Sequence, residues 1–331
     1  MPKLCVLAGD GIGQEVIPAA VEVLQAVIPD LEVITAEAGW ECFMKYGTSL
    51  PEESLEAVRI CGAGLFGAVS SPSYRVEGYR STILMLRQEL GLYANIRPVR
   101  SWPTVSPGND VDMIIVRENS EGLYSGRERS DGETAIAERV ITREASQRIA
   151  ARALELARNL GRERLTIVHK ANVLPLSDGL FRDCVREMVE NSAAKNGFAF
   201  VVDELLIDVA ALKLLAQPEL FDMIITTNLF GDILSDAASY WGGGLGMAPS
   251  VNWGDAVAIA EPVHGSAPDI AGKGIANPIA AILSAALLAR LVWQNKMAAE
   301  RIESAVFDTL ASNIDLSAGT AAITEAILKR L

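Results

Sequence analysis

TTNLFGDILSD, residues Thr226–Asp236, follows the apolar run Met223-Ile224-Ile225. The run reads as a buried strand, and Asn228 and Gly231 supply turn chemistry after it. A helix beginning near Gly231 sets Asp232 and Asp236 on one face, about one turn apart. Carboxylates held that close repel each other unless a cation lies between them. Hard divalent ions such as Mg2+ or Mn2+ take oxygen ligands of this kind. The alternative is an aspartate near a helix N-terminus, favoured by the dipole, followed by an exposed helical aspartate. The segment alone leaves both readings open.

Working outward, apolar strands recur with polar side chains at their ends. Leu4–Leu7 runs into Gly9-Asp10-Gly11-Ile12-Gly13 and a helical pattern over Gln14–Val27. That is the context of a nucleotide fingerprint, but Val16 stands where a Rossmann motif wants Gly or Ala, and no acidic strand end follows at the expected distance. The cofactor is therefore not placed there. The apolar strand Gly64–Val69 ends in Ser70-Ser71-Pro72, a favourable place for a ligand in an α/β sheet. Arg80–Gly91 is helical, with Arg87 among Ile83, Leu84, Leu86 and Leu90; the run Leu92–Arg100 is extended, and Pro98 keeps Arg97 out of helix. Arg117 ends the strand Met113–Val116. Three arginines at element ends in an acidic chain suggest a carboxylate-binding cluster, because guanidinium forks match carboxylates and stay charged when desolvated.

A helix is expected over Arg143–Asn159 and a strand over Leu165–His169, ending in Lys170. A lysine there is costly without a partner or a role. Gly179–Ser192 reads as helix and Phe198–Leu206 as strand. Asp208 is read as another strand-end carboxylate, before a helix over Val209–Ala216. Gly242–Gly246 suits a crossing between subdomains. A strand over Ala256–Ala260 leads to Glu261–Gly272, whose small residues, prolines and backbone donors suit a flat ligand and its phosphates. Asn277-Pro278 opens an apolar helix to Trp293, and helices over Ala298–Leu310 and Ala321–Leu331 complete the packing.

With 331 residues the chain exceeds what one core usually serves, so two subdomains are expected. A net charge of −13 argues against a nucleic-acid or membrane surface, while leaving room for a small anionic substrate gripped by local arginines. The four cysteines are scattered, which suits small core hydrophobes in a reduced compartment. His169 and His264 are too few for a His-rich metal site. No apolar run approaches the ~20 residues of a membrane span, and the first residues form a strand and turn rather than a secretory pattern. A cytoplasmic protein is expected.

Six motifs occur in order: GDGIG at 9–13, LRQELGLYANIRP at 86–98, RENSEGLY at 117–124, HKANVLP at 169–175, NLFGDILSD at 228–236 and HGSAPDIAGKGIANP at 264–278. Together they resemble the β-decarboxylating dehydrogenases, which act on isocitrate, 3-isopropylmalate, homoisocitrate or tartrate. The resemblance implies an isopropylmalate dehydrogenase-like α/β fold, not Rossmann, with two subdomains sharing a large mixed sheet and a site in the cleft between them. Residues 1–98 and 243–331 would form the first subdomain, and residues 99–242 the second. A homodimer or higher homo-oligomer is implied, pairing through the second subdomain and sharing sites across the interface.

Carried over by motif, Arg87, Arg97 and Arg117 would hold substrate carboxylates, and Ser71 and Ser81 would serve a longer side-chain carboxylate. Tyr124 and Lys170 would be the acid–base pair, Lys170 coming from the partner. Asp232, Asp236 and a partner's Asp208 would hold Mg2+ or Mn2+. Asn172 would lie by substrate and nicotinamide. Val69, Ser70 and Ser71 would contact the cofactor, and His264, Gly265, Ser266, Ala267, Pro268, Asp269 and Asn277 its adenosine half. Asp269 can accept from a ribose 2′-hydroxyl and would repel a 2′-phosphate, so NAD is expected. The substrate is a hydroxy di- or tricarboxylate. Isocitrate enzymes carry Asn at the position of Ile83; isopropylmalate enzymes carry two leucines near Ile83-Leu84. The run as a whole most resembles homoisocitrate dehydrogenases of the lysine aminoadipate route. Two further classes fit less well: a Mg2+-dependent phosphohydrolase leaves HGSAPD without a use, and a non-catalytic metabolite-binding homologue is disfavoured by the intact Tyr124, Lys170 and aspartates.

Overall fold

The computed structural model describes residues 1–331 except Ser73, Arg75, Asn109, Gly197 and Phe198. The expected strand start at Phe198 lies outside the described residues. The chain forms two compact units, Met1–Leu92 with Trp102–Asn109 and Gly242–Leu331, and Tyr93–Ser101 with Asp110–Trp241.

The first unit opens with β1 (Lys3–Gly9), α1 (Gly13–Val27), β2 (Glu32–Thr35), α2 (Trp40–Tyr46), α3 (Glu52–Cys61), β3 (Ala63–Ala68) and α4 (Thr82–Glu89). The second holds β4 (Ala94–Arg100), β5 (Asp112–Glu118), the exposed hairpin β6 (Glu128–Ser130) and β7 (Ala135–Ala137), α5 (Arg143–Leu160), β8 (Arg164–His169), α6 (Ser177–Asn196), β9 (Val201–Leu206), α7 (Ile207–Ala216), β10 (Met223–Thr226) and α8 (Asn228–Ser239). The first unit then resumes with β11 (Pro249–Trp253), β12 (Ala258–Pro262), α9 (Ile279–Leu287), α10 (Lys296–Ala311) and α11 (Thr320–Leu328).

Each unit is built on five mixed strands. In the first, β2, β1, β3 and β12 run parallel in that order and β11 closes antiparallel on β12. In the second, β4 is antiparallel to β5, and β5, β10, β8 and β9 follow in parallel. Neither order is the Rossmann order, and the fold is mixed α/β as expected. Parallel strands covered on both faces need continuous apolar runs. Met113-Ile114-Ile115-Val116 and Met223-Ile224-Ile225 supply them and are buried throughout. α5 shows why a helix forms where it does: Thr142 accepts from the Ala145 amide at 3.1 Å, one apolar face is buried, and Gly161 ends it in a left-handed turn. α9 is buried at every residue, as an all-apolar helix must be.

The units divide differently from the expected boundary at 98/99. That cut would fall inside β4, which pairs with β5 from Ala94 opposite Glu118 to Arg100 opposite Asp112. The whole strand therefore belongs to the second unit, while residues 102–109 group with the first. The long apolar helix expected to reach Trp293 gives way after Leu287 to one π-helical turn, Leu288–Val292. Among the described residues no helix is long and apolar enough to cross a membrane. Cys5, Cys42 and Cys184 are buried and free, and burial pushes the Cys5 thiol up to about 12, which suits a core hydrophobe.

Candidate active site

In the second unit a group of charged and polar side chains gathers on α8. The helix starts at Asn228, three residues before the expected start near Gly231, with extended Thr227 leading in. Gly231 is therefore not a turn residue. It is buried inside the helix, where a Cβ would stand 2.6 Å from Cβ and Cγ of Arg117. Its missing side chain lets the arginine's stem cross the helix. Asn228 is not a turn residue either. Its Oδ1 accepts from Arg117 Nε at 3.0 Å and Nη2 at 2.7 Å, and its Nδ2 donates to the Glu121 carbonyl at 2.9 Å.

Arg117, only 1% exposed, also pairs through Nη1 with Asp232 Oδ1. Arg97 reaches the same helix from β4. Its Nη1 donates to Asp236 Oδ1 at 2.7 Å and Ser235 Oγ at 2.8 Å, its Nη2 lies 3.5 Å from Asp232 Oδ1, and its Nε donates to Asn95 at 2.8 Å. Tyr124 donates its hydroxyl to Asp232 Oδ2 at 2.6 Å, and the Arg117 guanidinium lies 5.1 Å from its ring centre. Two carboxylates one turn apart are thus held by two guanidinium groups and a phenol. Burial, and then the hydrogen bond to Asp232, pushes the Tyr124 pKa above its ordinary value. The phenol therefore keeps its proton at neutral pH, as a proton donor must.

Lys170 and Asp208 form a second pair. Asp208 is not at a strand end: β9 stops at Leu206 and α7 begins at once, placing Asp208 in its first turn, where unsatisfied amides favour a carboxylate. Lys170 Nζ contacts Asp208 Oδ1, and that hydrogen bond leads the causes holding the Asp208 carboxyl below its usual range. The Lys170 amide donates to Asp178 Oδ2 at 2.6 Å. Asp178 is fully buried and paired with Arg139, whose Nη2 donates to Thr227 Oγ1 at 2.9 Å. This network ties the Lys170 turn to the start of α8. Asn172 is exposed on that turn.

In the first unit Arg87 is held within its own network: Nε donates to Asn252 Oδ1 at 3.2 Å, Nη2 lies 3.5 Å from Glu261 Oε1, and Asn252 Nδ2 donates to the same oxygen at 2.7 Å. Ser81 precedes α4 without capping it. Val69 and Ser70 follow β3, and Ser70 Oγ donates to Ser266 Oγ at 2.9 Å. Ser71 is exposed, with its hydroxyl 3.3 Å from the Tyr79 hydroxyl. In the 264–269 loop, Gly265, Pro268 and Asp269 are exposed, Ser266 is buried and Ala267 is left-handed at φ 40. His264 has a buried Nε2 with no protein hydrogen-bond partner, and burial lowers the pKa of its ring. Asn277 spends its Oδ1 on the Ile279 amide at 3.0 Å.

The donor sets bear on a metal and a dinucleotide. Among the described residues no three His, Cys, Asp or Glu side chains could jointly hold a metal ion. Asp232 and Asp236 offer carboxylate oxygens suited to a hard cation, as two of its ligands. The orphaned His264 Nε2 and exposed Asp269 on one loop suit a polar ligand such as the adenosine half of a dinucleotide.

Residues 3–329 match the family model described as isocitrate/isopropylmalate dehydrogenase. The "Isocitrate/homoisocitrate dehydrogenase" of Thermus thermophilus is 50% identical over 334 residues, covering 99% of this chain and 98% of its own. The "3-isopropylmalate dehydrogenase" of Methanothermobacter thermautotrophicus is 47% identical over 315 residues, covering 94% and 92%. Among solved structures, the isocitrate dehydrogenase from Methylococcus capsulatus superposes with a TM-score of 0.92 at 39% identity, covering 100% of this chain and 99% of that one. Whole-length matches in both sequence and fold show that the chain belongs to the isocitrate/isopropylmalate dehydrogenase family and is an oxidoreductase of the decarboxylating dehydrogenase type.

Proposed function

We propose that the protein carries out the NAD-dependent oxidative decarboxylation of homoisocitrate to 2-oxoadipate and CO2, a step of lysine biosynthesis by the aminoadipate route. The observation that carries the reaction class is Asp232, shared by Arg117, Arg97 and Tyr124 on one face of α8. Asp232 and Asp236, with the partner subunit's Asp208, are the residues that would hold Mg2+ or Mn2+. Such an ion, when bound, supplies Lewis-acid polarisation of the substrate's hydroxyl and carbonyl oxygens.

The protein's own groups supply the rest. Arg87, Arg97 and Arg117 hold the carboxylates of the hydroxy acid and fix which carboxyl is lost. Lys170 takes the hydroxyl proton. Tyr124, kept protonated by its surroundings, hands its phenolic proton to the enol carbon after CO2 departs. Asn172 orients substrate against the nicotinamide, and Asp269 accepts from the ribose 2′-hydroxyl, which selects NAD over NADP. Within one chain Lys170 pairs with Asp208, so the two residues assigned to the neighbouring site would travel together in a homodimer. Exposed Val209, Leu212, Leu215 and Ile233, on the same helices as Asp208 and Asp232, provide apolar surface for that pairing.

The 3-isopropylmalate reading is the second one, favoured by half-buried Ile83 and Leu84 on α4, which suit a branched alkyl group. Both readings require NADH and CO2 to appear one for one. With homoisocitrate and Mn2+, NADP+ is expected to serve at least about 10²-fold worse than NAD+ in kcat/KM, since like charges brought together cost several kcal/mol. NADH without CO2 would contradict the reaction, and equal use of NADP+ would contradict the role of Asp269.

A further inference from the structure

The GDGIG turn at 9–13 stands where a dinucleotide loop would, yet the cofactor reading assigns it nothing. Its one aspartate, Asp10, is 2% exposed. Asp10 Oδ2 accepts from the amides of Trp40 at 2.7 Å and Ser70 at 2.9 Å, and Oδ1 from the amide of Glu41 at 3.1 Å. Three backbone donors from two separate segments thus converge on one buried carboxylate, an arrangement of charge-assisted bonds stronger than neutral ones. Gly39, at φ 116, gives the carboxylate its space: a Cβ there would lie 2.6 Å from Oδ2.

The contacts continue into the loops assigned to the cofactor. Ser70, whose amide Asp10 holds, donates its hydroxyl to Ser266 at 2.9 Å. The Ser266 carbonyl accepts from the Ile12 amide at 2.9 Å, two residues beyond Asp10. The contacts therefore close a ring from Asp10 through Ser70 and Ser266 back to Ile12. Gly11, at φ 56, permits the close approach, since a Cβ there would meet the Ser266 carbonyl oxygen at 2.1 Å. The Ser70 carbonyl is held as well, by the Tyr79 hydroxyl at 3.3 Å, and Tyr79 packs edge-on against Trp40 and Phe43 of the helix whose first amides Asp10 accepts.

We propose that Asp10 is a positioning residue for cofactor binding: the GDGIG turn is a brace that holds the Ser70 strand end and the Ser266 loop in the mutual arrangement that receives the dinucleotide. This rests on the reading that Ser70 and the Ser266 loop contact NAD. A buried carboxylate satisfied by three amides does not itself bind ligand; it fixes where two ligand-bearing segments stand.

The test is NADH binding to the full-length protein, followed by fluorescence in the absence of hydroxy acid, with steady-state kinetics and a thermal melt alongside. Asp10→Asn keeps the shape but turns one acceptor into a donor facing a backbone N–H. It is expected to raise the NADH Kd and the KM for NAD+ about tenfold, the scale of one lost charge-assisted bond. The KM for the hydroxy acid and kcat should stay within about twofold, because Asp10 contacts neither substrate-binding nor proton-transferring groups. Tyr79→Phe removes the hydroxyl that donates to the Ser70 carbonyl and also touches the Ser71 hydroxyl, and is expected to weaken NADH binding about threefold; it carries the test if the Asp10 variant does not fold. Unchanged NADH affinity in the folded variants overturns the proposal. So does a loss of NADH affinity, hydroxy-acid affinity and kcat in equal measure, which marks a general structural role. A wild-type protein that fails to bind NADH overturns the cofactor reading itself, and the brace proposal with it.

Discussion

Replacing Tyr124 with Phe is expected to lower steady-state turnover by about 10²–10⁴-fold, the usual worth of a positioned general acid. The loss should fall on the last proton transfer, so NADH formation and CO2 release in a single turnover are spared relative to release of the protonated product. The fold should survive. Phe keeps the ring beside Arg117, and Asp232 retains Arg117 and Arg97, so losing the phenol's hydrogen bond to Asp232 costs about 1 kcal/mol. A pH profile separates the role from a packing effect. Burial and Asp232 raise the Tyr124 pKa, so its proton is held through neutrality and lost only as pH climbs above the ordinary phenol range. The wild-type rate should fall on that alkaline limb, and the residual rate of the Phe variant should lack it. Turnover equal to wild type would remove Tyr124 from the mechanism.

The second large effect is expected at Asp232. Asp232→Asn should weaken Mn2+ binding by more than the roughly 10–100-fold typical of an outer-shell partner, and activity should fall with it. Stability should change for a different reason. Asp232 balances Arg117, which is buried, and breaking a buried pair costs about 3–5 kcal/mol. Asn keeps one accepting oxygen, the Asp232 side chain is 30% exposed, and Asn228 still holds the guanidinium, so a cost of about 1–2 kcal/mol is expected. Asp236→Asn should lose metal affinity with little change in the melt, since its side chain is 56% exposed. Titration of Mn2+ into the folded, metal-free variants by calorimetry checks both. Unchanged metal affinity in Asp232→Asn would count against its assignment as a ligand.

The parts of this molecule that a sequence displays are those with local periodicity or a compact motif. The buried strands before Arg117, Lys170 and Asn228 announce themselves as apolar runs, and the one-turn spacing of Asp232 and Asp236 survives a helix start misplaced by three residues. What local reading misses is pairing at a distance. Gly231 looked like a turn glycine because its real neighbour, the stem of Arg117, lies far back in the chain. Asp178, which joins Arg139 to the Lys170 turn, has no motif around it to single it out. Asp208 sat at a plausible strand end, and only the abrupt passage from β9 to α7 shows it in a helix. The expected boundary at 98/99 falls inside β4, because the pairing of that strand with β5 is a contact between segments that no local pattern displays.

Homoisocitrate, isocitrate and 3-isopropylmalate would undergo the same reaction and differ in the side group that the protein must select. The decisive measurement compares kcat/KM for homoisocitrate, isocitrate and 3-isopropylmalate on the purified protein, with NAD+ and Mn2+ saturating and NADH formation as the readout. Homoisocitrate is expected to give the highest value. A strong preference for 3-isopropylmalate would contradict it and return Ile83 and Leu84 to the role of an alkyl pocket.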